Sequence, residues 1–95
     1  MTRYMIYDMR NRKNLYFDSI QNARKTAIRK FVSLEDPVSK RRMVAIVNPS
    51  TMNTLELIYP HNILGEAYWY SEKLDNNGNT YNVYRIDPKT GALKR

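Results

Sequence analysis

Cysteine is absent from the 95 residues, histidine occurs once, and glycine and proline occur three and four times. Without cysteine there is no disulfide, no thiolate nucleophile, and no cysteine-based zinc or iron–sulfur site. That composition suits a reducing compartment. No apolar run approaches the roughly 20 residues needed to span a bilayer. The first residues, Met1 to Asp8, contain one early arginine, but no continuing apolar segment and no small-residue cleavage site follow. A signal peptide is therefore not expected, and the expectation is a cytoplasmic protein without a membrane partner. Also missing are a phosphate-binding Walker loop, a Gly-rich dinucleotide fingerprint, and RNP, KH or zinc-finger patterns.

What remains is globular and basic. Hydrophobic residues make up 42% and charged residues 26%, more order-promoting than a disordered chain would be. Ninety-five residues suit a single domain, 1–95, with one small core and no room for a large enclosed cavity. The net charge of +7 is unevenly placed. Residues 1–48 hold eleven Lys or Arg against four Asp or Glu, while residues 49–95 hold five of each. The basic half suits a phosphate backbone, an acidic protein or an anionic surface.

The segment Arg3 to Met9 reads as a strand apolar on both faces. Arg10 to Asn14 reads as a turn, and Leu15 to Phe17 as a returning strand, so the two make a hairpin with a basic tip. Asp18 is placed to cap a helix, with Gln21 returning the bond as in a capping box. Ile20, Ala23, Ala27 and Phe31 recur at helical spacing, and Ile28 widens the stripe. These residues are expected to face a sheet, with Phe31 packed in the core. Arg24 and Lys30 flank the stripe, while Lys25 and Arg29 face outward.

Pro37 disfavours helix beyond Leu34, and Lys40, Arg41 and Arg42 form the densest positive run. Met43 to Val47 and Leu55 to Tyr59 read as strands, followed by a connection at Pro60, His61 and Asn62. Two further strands, Ala67 to Lys73 and Thr80 to Ile86, flank the bend Asp75 to Asn79. Beyond residue 88 the chain reads as a tail able to move. The expected fold is α+β: one helix on a largely antiparallel sheet of four to six strands, in the order ββαββββ.

The most aromatic segment, Gly65 to Ile86, holds Tyr68, Trp69, Tyr70, Tyr81 and Tyr84. Alternation puts Tyr68 and Tyr70 on one face and Trp69 on the other, so a single platform of all five rings is not expected. One set lines the core and the rest meet solvent.

No constellation points to catalysis. His61 lacks a partner at a telling spacing, and the acidic residues are scattered, so an enzyme is not expected. Asp75, Asn77 and Asn79 offer oxygen donors, but the glycine position and the missing distal Glu depart from a calcium loop; no metal or cofactor is expected. The leading expectation is a binding or accessory domain that contacts DNA or RNA through phosphate-directed cations. The candidates are Arg24, Lys25, Arg29, Lys30, Lys40, Arg41 and Arg42, with Tyr68, Trp69 and Tyr70 as aromatic contacts. The alternative is a protein–protein interaction module, with self-association left open, built on the same Arg, Tyr and Trp chemistry.

Overall fold

The computed structural model describes residues 3–8, 12–30 and 44–94. A single helix packs against a seven-stranded antiparallel sheet. In chain order the elements are β1 (Tyr4–Asp8), β2 (Lys13–Phe17), α1 (Ile20–Lys30), β3 (Val44–Val47), β4 (Thr54–Ile63), β5 (Glu66–Leu74), β6 (Thr80–Ile86) and β7 (Leu93–Lys94). Across the sheet the order is β2-β1-β3-β4-β5-β6-β7. The chain leaves the sheet edge after β2, crosses as α1, and returns as β3 on the far side of β1.

The helix begins one residue later than the sequence suggests, with Ser19 in the capping position. Its Oγ accepts the Asn22 N–H at 3.4 Å, and its carbonyl accepts the Ala23 N–H at 3.1 Å. That satisfies donors the first turn would otherwise leave unpaired. Ala23 and Ala27 are fully buried, and Ile20 and Ile28 pack beside them, as the periodicity requires. They meet Ile6 of β1, Val44 and Ile46 of β3, Ile58 of β4 and Ile86 of β6. The short alanine side chains let the helix sit close to the branched residues of the sheet. Phe31 and the expected turn beyond it fall outside the described residues. Among the described residues no helix is long and apolar enough to cross a membrane.

Three features depart from the expected pattern. First, β4 runs on through Pro60, His61 and Asn62, where a connection was expected; Pro60 lies opposite Trp69 and His61 opposite Tyr68. The described part of β3 starts opposite Ile58, so nothing described flanks Pro60 on that side. Second, register shifts occur between Ile46 and Val47 and between Lys73 and Leu74. In the latter, Asn82 pairs with Lys73 and Thr80 with Leu74, so Tyr81 is the extra residue of a bulge. Third, residues 93 and 94 add a seventh strand to β6. The turn leading to it is held by Asp87, whose Oδ1 accepts the Lys89 N–H at 2.9 Å and whose carbonyl accepts the Gly91 N–H at 2.7 Å. The Lys89 N–H bond, followed by the nearby Lys94 ammonium and the Thr90 N–H, holds the Asp87 carboxyl below its ordinary range.

The core has an ionic centre. Arg24 of α1 is only 4% exposed and Glu56 of β4 only 1%. The Arg24 Nε donates to Glu56 Oε1 at 2.9 Å, its Nη2 donates to Oε2 at 2.7 Å, and its Nη1 donates to the Gly91 carbonyl at 3.0 Å. Ser71 of β5 donates its hydroxyl to Glu56 Oε1. Helix, central strands and C-terminal turn thus meet at one fork-to-fork contact, the geometry in which a guanidinium and a carboxylate bond most strongly.

Gly91 has no room for a side chain. Its φ is 77°, and an added Cβ would overlap the backbone carbonyl of Gln21 in the first turn of α1.

Removing one partner of a buried pair leaves the other charge unpaired in the interior, at a cost of about 3–5 kcal/mol. Arg24→Met and Glu56→Leu, each alone, are expected to lose about that much in urea unfolding. The double substitution is expected to recover most of the loss; simple additivity would show that the two side chains act independently. Gly91→Ala is expected to cost more than about 1 kcal/mol by the same measurement, since it adds both overlap and a disfavoured φ.

Candidate ligand-binding face

The helix packs on one face of the sheet. Strand alternation assigns the residues of the other. Ile58 faces the helix, so Leu57, Tyr59 and His61 are on alternating positions that face away from it. Their cross-strand partners are Glu72, Tyr70 and Tyr68 of β5. Val83 lies opposite Glu72 and Arg85 opposite Tyr70, continuing this face onto β6, and Lys94 lies opposite Arg85 on β7. On the far side, Met5 pairs with Val47 and carries Tyr7 and Tyr16 onto the same face.

The rings at the centre form two groups. Tyr59 and Tyr70 are stacked, with centroids 6.0 Å apart and planes inclined by 21°. His61 meets Tyr70 edge-on at the same centroid distance. Beside them the Arg85 guanidinium lies 4.1 Å above the Tyr68 ring. An exposed contact of this kind contributes about 0.5–1 kcal/mol. Tyr7, Tyr16 and Val83 are each about half exposed on the same face.

Carboxylates anchor the phenols. Tyr68 donates to Glu66 Oε2 at 2.7 Å, and this bond, then the Glu66 charge, raises the Tyr68 pKa above its ordinary value. Tyr59 donates to Glu72 Oε1 at 2.9 Å, while Thr80 donates to Oε2 at 3.2 Å. Burial, followed by the hydrogen bond and charge of Glu72, pushes the Tyr59 hydroxyl up to about 12. Both phenols therefore stay neutral through the physiological range, and each ring is held by a bond at its far end.

The sequence-nominated residues divide between locations. Tyr68 and Tyr70 are on the open face. Trp69 points the other way and packs against the core from the helix side, as alternation requires. Arg24 is the correction among the cations. It was expected to flank the helix stripe and reach solvent, but it is buried and paired with Glu56, because its position falls inside the stripe that meets the sheet. Lys25 is half-buried and Arg29 exposed on α1, across the sheet from the tyrosines. Lys40, Arg41, Arg42 and the Lys30 side chain fall outside the described residues.

Sequence reasoning did not nominate Tyr59, Arg85 or Lys94 as contacts, and it weighed His61 only for catalysis. The signal for Tyr59 and His61 was their alternation with Ile58; for Arg85 it was alternation with the core residue Ile86. The bend at Asp75 uses its oxygens on itself: Asp75 Oδ1 accepts the N–H groups of Asn77 and Asn79, both at 2.9 Å. No group of three His, Asp or Glu side chains placed to hold a metal occurs among the described residues. Comparison of the chain with family models, curated proteins and solved structures finds no match.

A tyrosine whose folded pKa lies above the unfolded value near 10 stabilises the fold at lower pH and loses that contribution as pH rises toward 12. Spectrophotometric titration is expected to show one phenol ionising near 12. Glu72→Gln is expected to move it down while leaving it above the ordinary value, because burial is the larger cause and persists. An unchanged titration in the variant would show that Glu72 does not hold Tyr59 in solution.

Proposed function

We propose that this protein is a binding domain for single-stranded DNA or RNA, and that the ligand lies across the sheet face opposite α1. The observation that carries this reading is the pairing of aromatic rings with a cation on that face: Tyr59 stacked on Tyr70, and the Arg85 guanidinium over the Tyr68 ring. Bases stack on aromatic rings and on guanidinium planes alike, and either surface accepts any base. Lys94, opposite Arg85 and 60% exposed along its side chain, adds a second cation at the β7 edge for phosphate.

The spacing favours a single strand over a duplex. Neighbours on one face of a strand are about 6.6–6.8 Å apart, two residues at the strand rise. Stacked bases in a duplex strand rise only about 3.4 Å. A nucleic acid that matches the pitch of the sheet must therefore splay its bases, which a paired strand cannot do without melting. The net charge of +7 draws a polyanion toward the molecule from a distance, and Lys25 and Arg29 contribute to that attraction from the helix side without touching the same ligand.

Fluorescence anisotropy with labelled single-stranded DNA, single-stranded RNA and duplex DNA at several salt concentrations tests this, with polyglutamate as a competing polyanion. Saturable binding to the single strands is expected, weaker for duplex and resistant to polyglutamate. Tyr70→Ala is expected to weaken it roughly five- to 150-fold, the range that corresponds to about 1–3 kcal/mol for one stacked base. Lys94→Gln is expected to lower the slope of log K against log salt by about 0.7, the loss of one phosphate contact on a single strand. Absence of oligonucleotide binding at low salt would overturn the proposal and leave the same aromatic face as a protein-docking surface. Equal competition by polyglutamate would reduce it to charge attraction.

A further inference from the structure

The bend between β5 and β6 is a three-residue loop, Asn76, Asn77 and Gly78, held between Asp75 and Asn79. The Asp75 N–H donates to the Asn79 carbonyl at 2.9 Å, and the Gly78 N–H donates to the Asp75 carbonyl at 3.0 Å. Gly78 has a φ of 81°, as the last loop residue of such a hairpin requires. The Asp75 carboxylate closes the loop from inside, since its Oδ1 accepts the N–H groups of both Asn77 and Asn79. Residues 75–80 are exposed, and around Gly78 there is only open space.

This loop contains a reactive pair. The chain has ten asparagines, and Asn77 alone is followed by glycine. An asparagine side-chain amide lies within reach of the next residue's backbone nitrogen, because a bond between them closes a five-membered ring. A side chain on the following residue crowds that nitrogen, and glycine has none. Among the described residues nothing bonds the Asn77 side-chain amide, so it can rotate toward Gly78. What restrains the reaction is the turn itself. The Gly78 nitrogen attacks only after it loses its proton, and in the closed turn that proton is bonded to the Asp75 carbonyl.

We propose that Asn77 is a site of spontaneous deamidation and that the Asp75-capped turn sets its rate. When the turn opens, hydroxide takes the Gly78 amide proton. The nitrogen then attacks Asn77 Cγ, the Cγ–Nδ2 bond breaks, and Nδ2 takes a proton from water and leaves as ammonia. Water adds to the resulting cyclic imide. Breaking the new Cγ–N bond leaves aspartate. Breaking the bond from that nitrogen to the Asn77 main-chain carbonyl carbon leaves isoaspartate, with one extra carbon in the main chain. Water and hydroxide are the only reactants. Either product lowers the net charge of +7 by one. The site does not depend on the ligand proposed above.

Incubation of the full chain in mildly alkaline buffer, followed by peptide mapping by mass spectrometry, tests the proposal. Acid is expected at Asn77 before any other asparagine, as a mixture of aspartate and isoaspartate, and more slowly in buffer than in urea. Asp75→Ala removes the acceptor of two backbone N–H groups. It is expected to speed the reaction in buffer roughly two- to tenfold, the equivalent of one lost hydrogen bond. Asp75→Asn keeps an acceptor oxygen and is expected to stay near the parent rate. Amide hydrogen exchange at Gly78 is expected to accelerate together with deamidation, since both wait on the same opening.

First modification at another asparagine, or none at Asn77 in urea, would overturn the site. Equal parent rates in buffer and in urea would overturn control by the turn. So would an Asp75→Asn rate as high as that of Asp75→Ala, because loss of the charge rather than of the cap would then explain both. Should Asp75→Ala fail to fold, the parent's buffer and urea rates and its Gly78 exchange decide the question alone.

Discussion

The Arg24–Glu56 pair joins parts of the chain that share few other contacts. Glu56 is on β4 near the middle of the sheet, Arg24 is in the second turn of the only described helix, and Gly91 is in the turn before the last strand. A hydrophobic contact would let these parts slide over one another. A bidentate ion pair does not, because two bonds 2.9 and 2.7 Å long fix both distance and orientation. Desolvating two charges is costly, and an apolar pair of similar volume can be as stable. What the pair adds is a fixed setting of the helix against β4. The Arg24 bond to the Gly91 carbonyl extends that setting to the C-terminal turn, and the missing side chain at Gly91 allows the turn to reach it.

One consequence is an asymmetric molecule. An eleven-residue helix is about 16 Å long and about 10 Å wide. Seven strands at about 4.8 Å separation make a sheet about 29 Å across. One helix can close only part of one face of such a sheet. The apolar residues Ile6, Ile46, Ile58 and Ile86 are on the closed side, together with Trp69. The other face carries Tyr7, Tyr16, Tyr59, Tyr68 and Tyr70, whose rings tolerate partial exposure because each has a polar end. Antiparallel sheets commonly leave one face in water, but that face is usually polar. Here it holds stacked rings and a guanidinium, and the carboxylates on it are engaged with phenols.

Much of this architecture is legible in the residues. The helix and six strands follow from the 3.6- and 2-residue periods of the apolar positions, and alternation correctly separates Trp69 from Tyr68 and Tyr70. The seventh strand is not legible, since two residues at the end of a chain carry no period. The run of β4 through Pro60 is hidden as well, because proline in a sequence reads as a break in a strand. Arg24 is more instructive. Ile20, Ala23, Arg24, Ala27 and Ile28 follow the i, i+3, i+4, i+7, i+8 spacing of a buried stripe, and Glu56 shares a strand face with Ile58. A lone cation within one apolar face and a lone anion within another predict a buried pair. Counting the basic residues as one population obscured that signal, whereas placing each on its element reveals it.

That distinction also decides how charge serves this molecule. The excess of positive residues is in the first half of the sequence, yet Arg24 is consumed by the core, and Lys25 and Arg29 are on the helix side. The cations best placed beside the rings, Arg85 and Lys94, come from the half with no net charge. Exposed charges farther apart than a Debye length, about 8 Å at physiological salt, are largely screened, so cations on the helix side act across the sheet mainly at low salt. Contact at 4.1 Å depends on one guanidinium lying over the adjacent ring. The net charge and the local site therefore draw on different residues. On the proposed single-strand reading, a substitution on the helix surface should alter how fast the ligand arrives at low salt, while one on the open face should alter how long it stays.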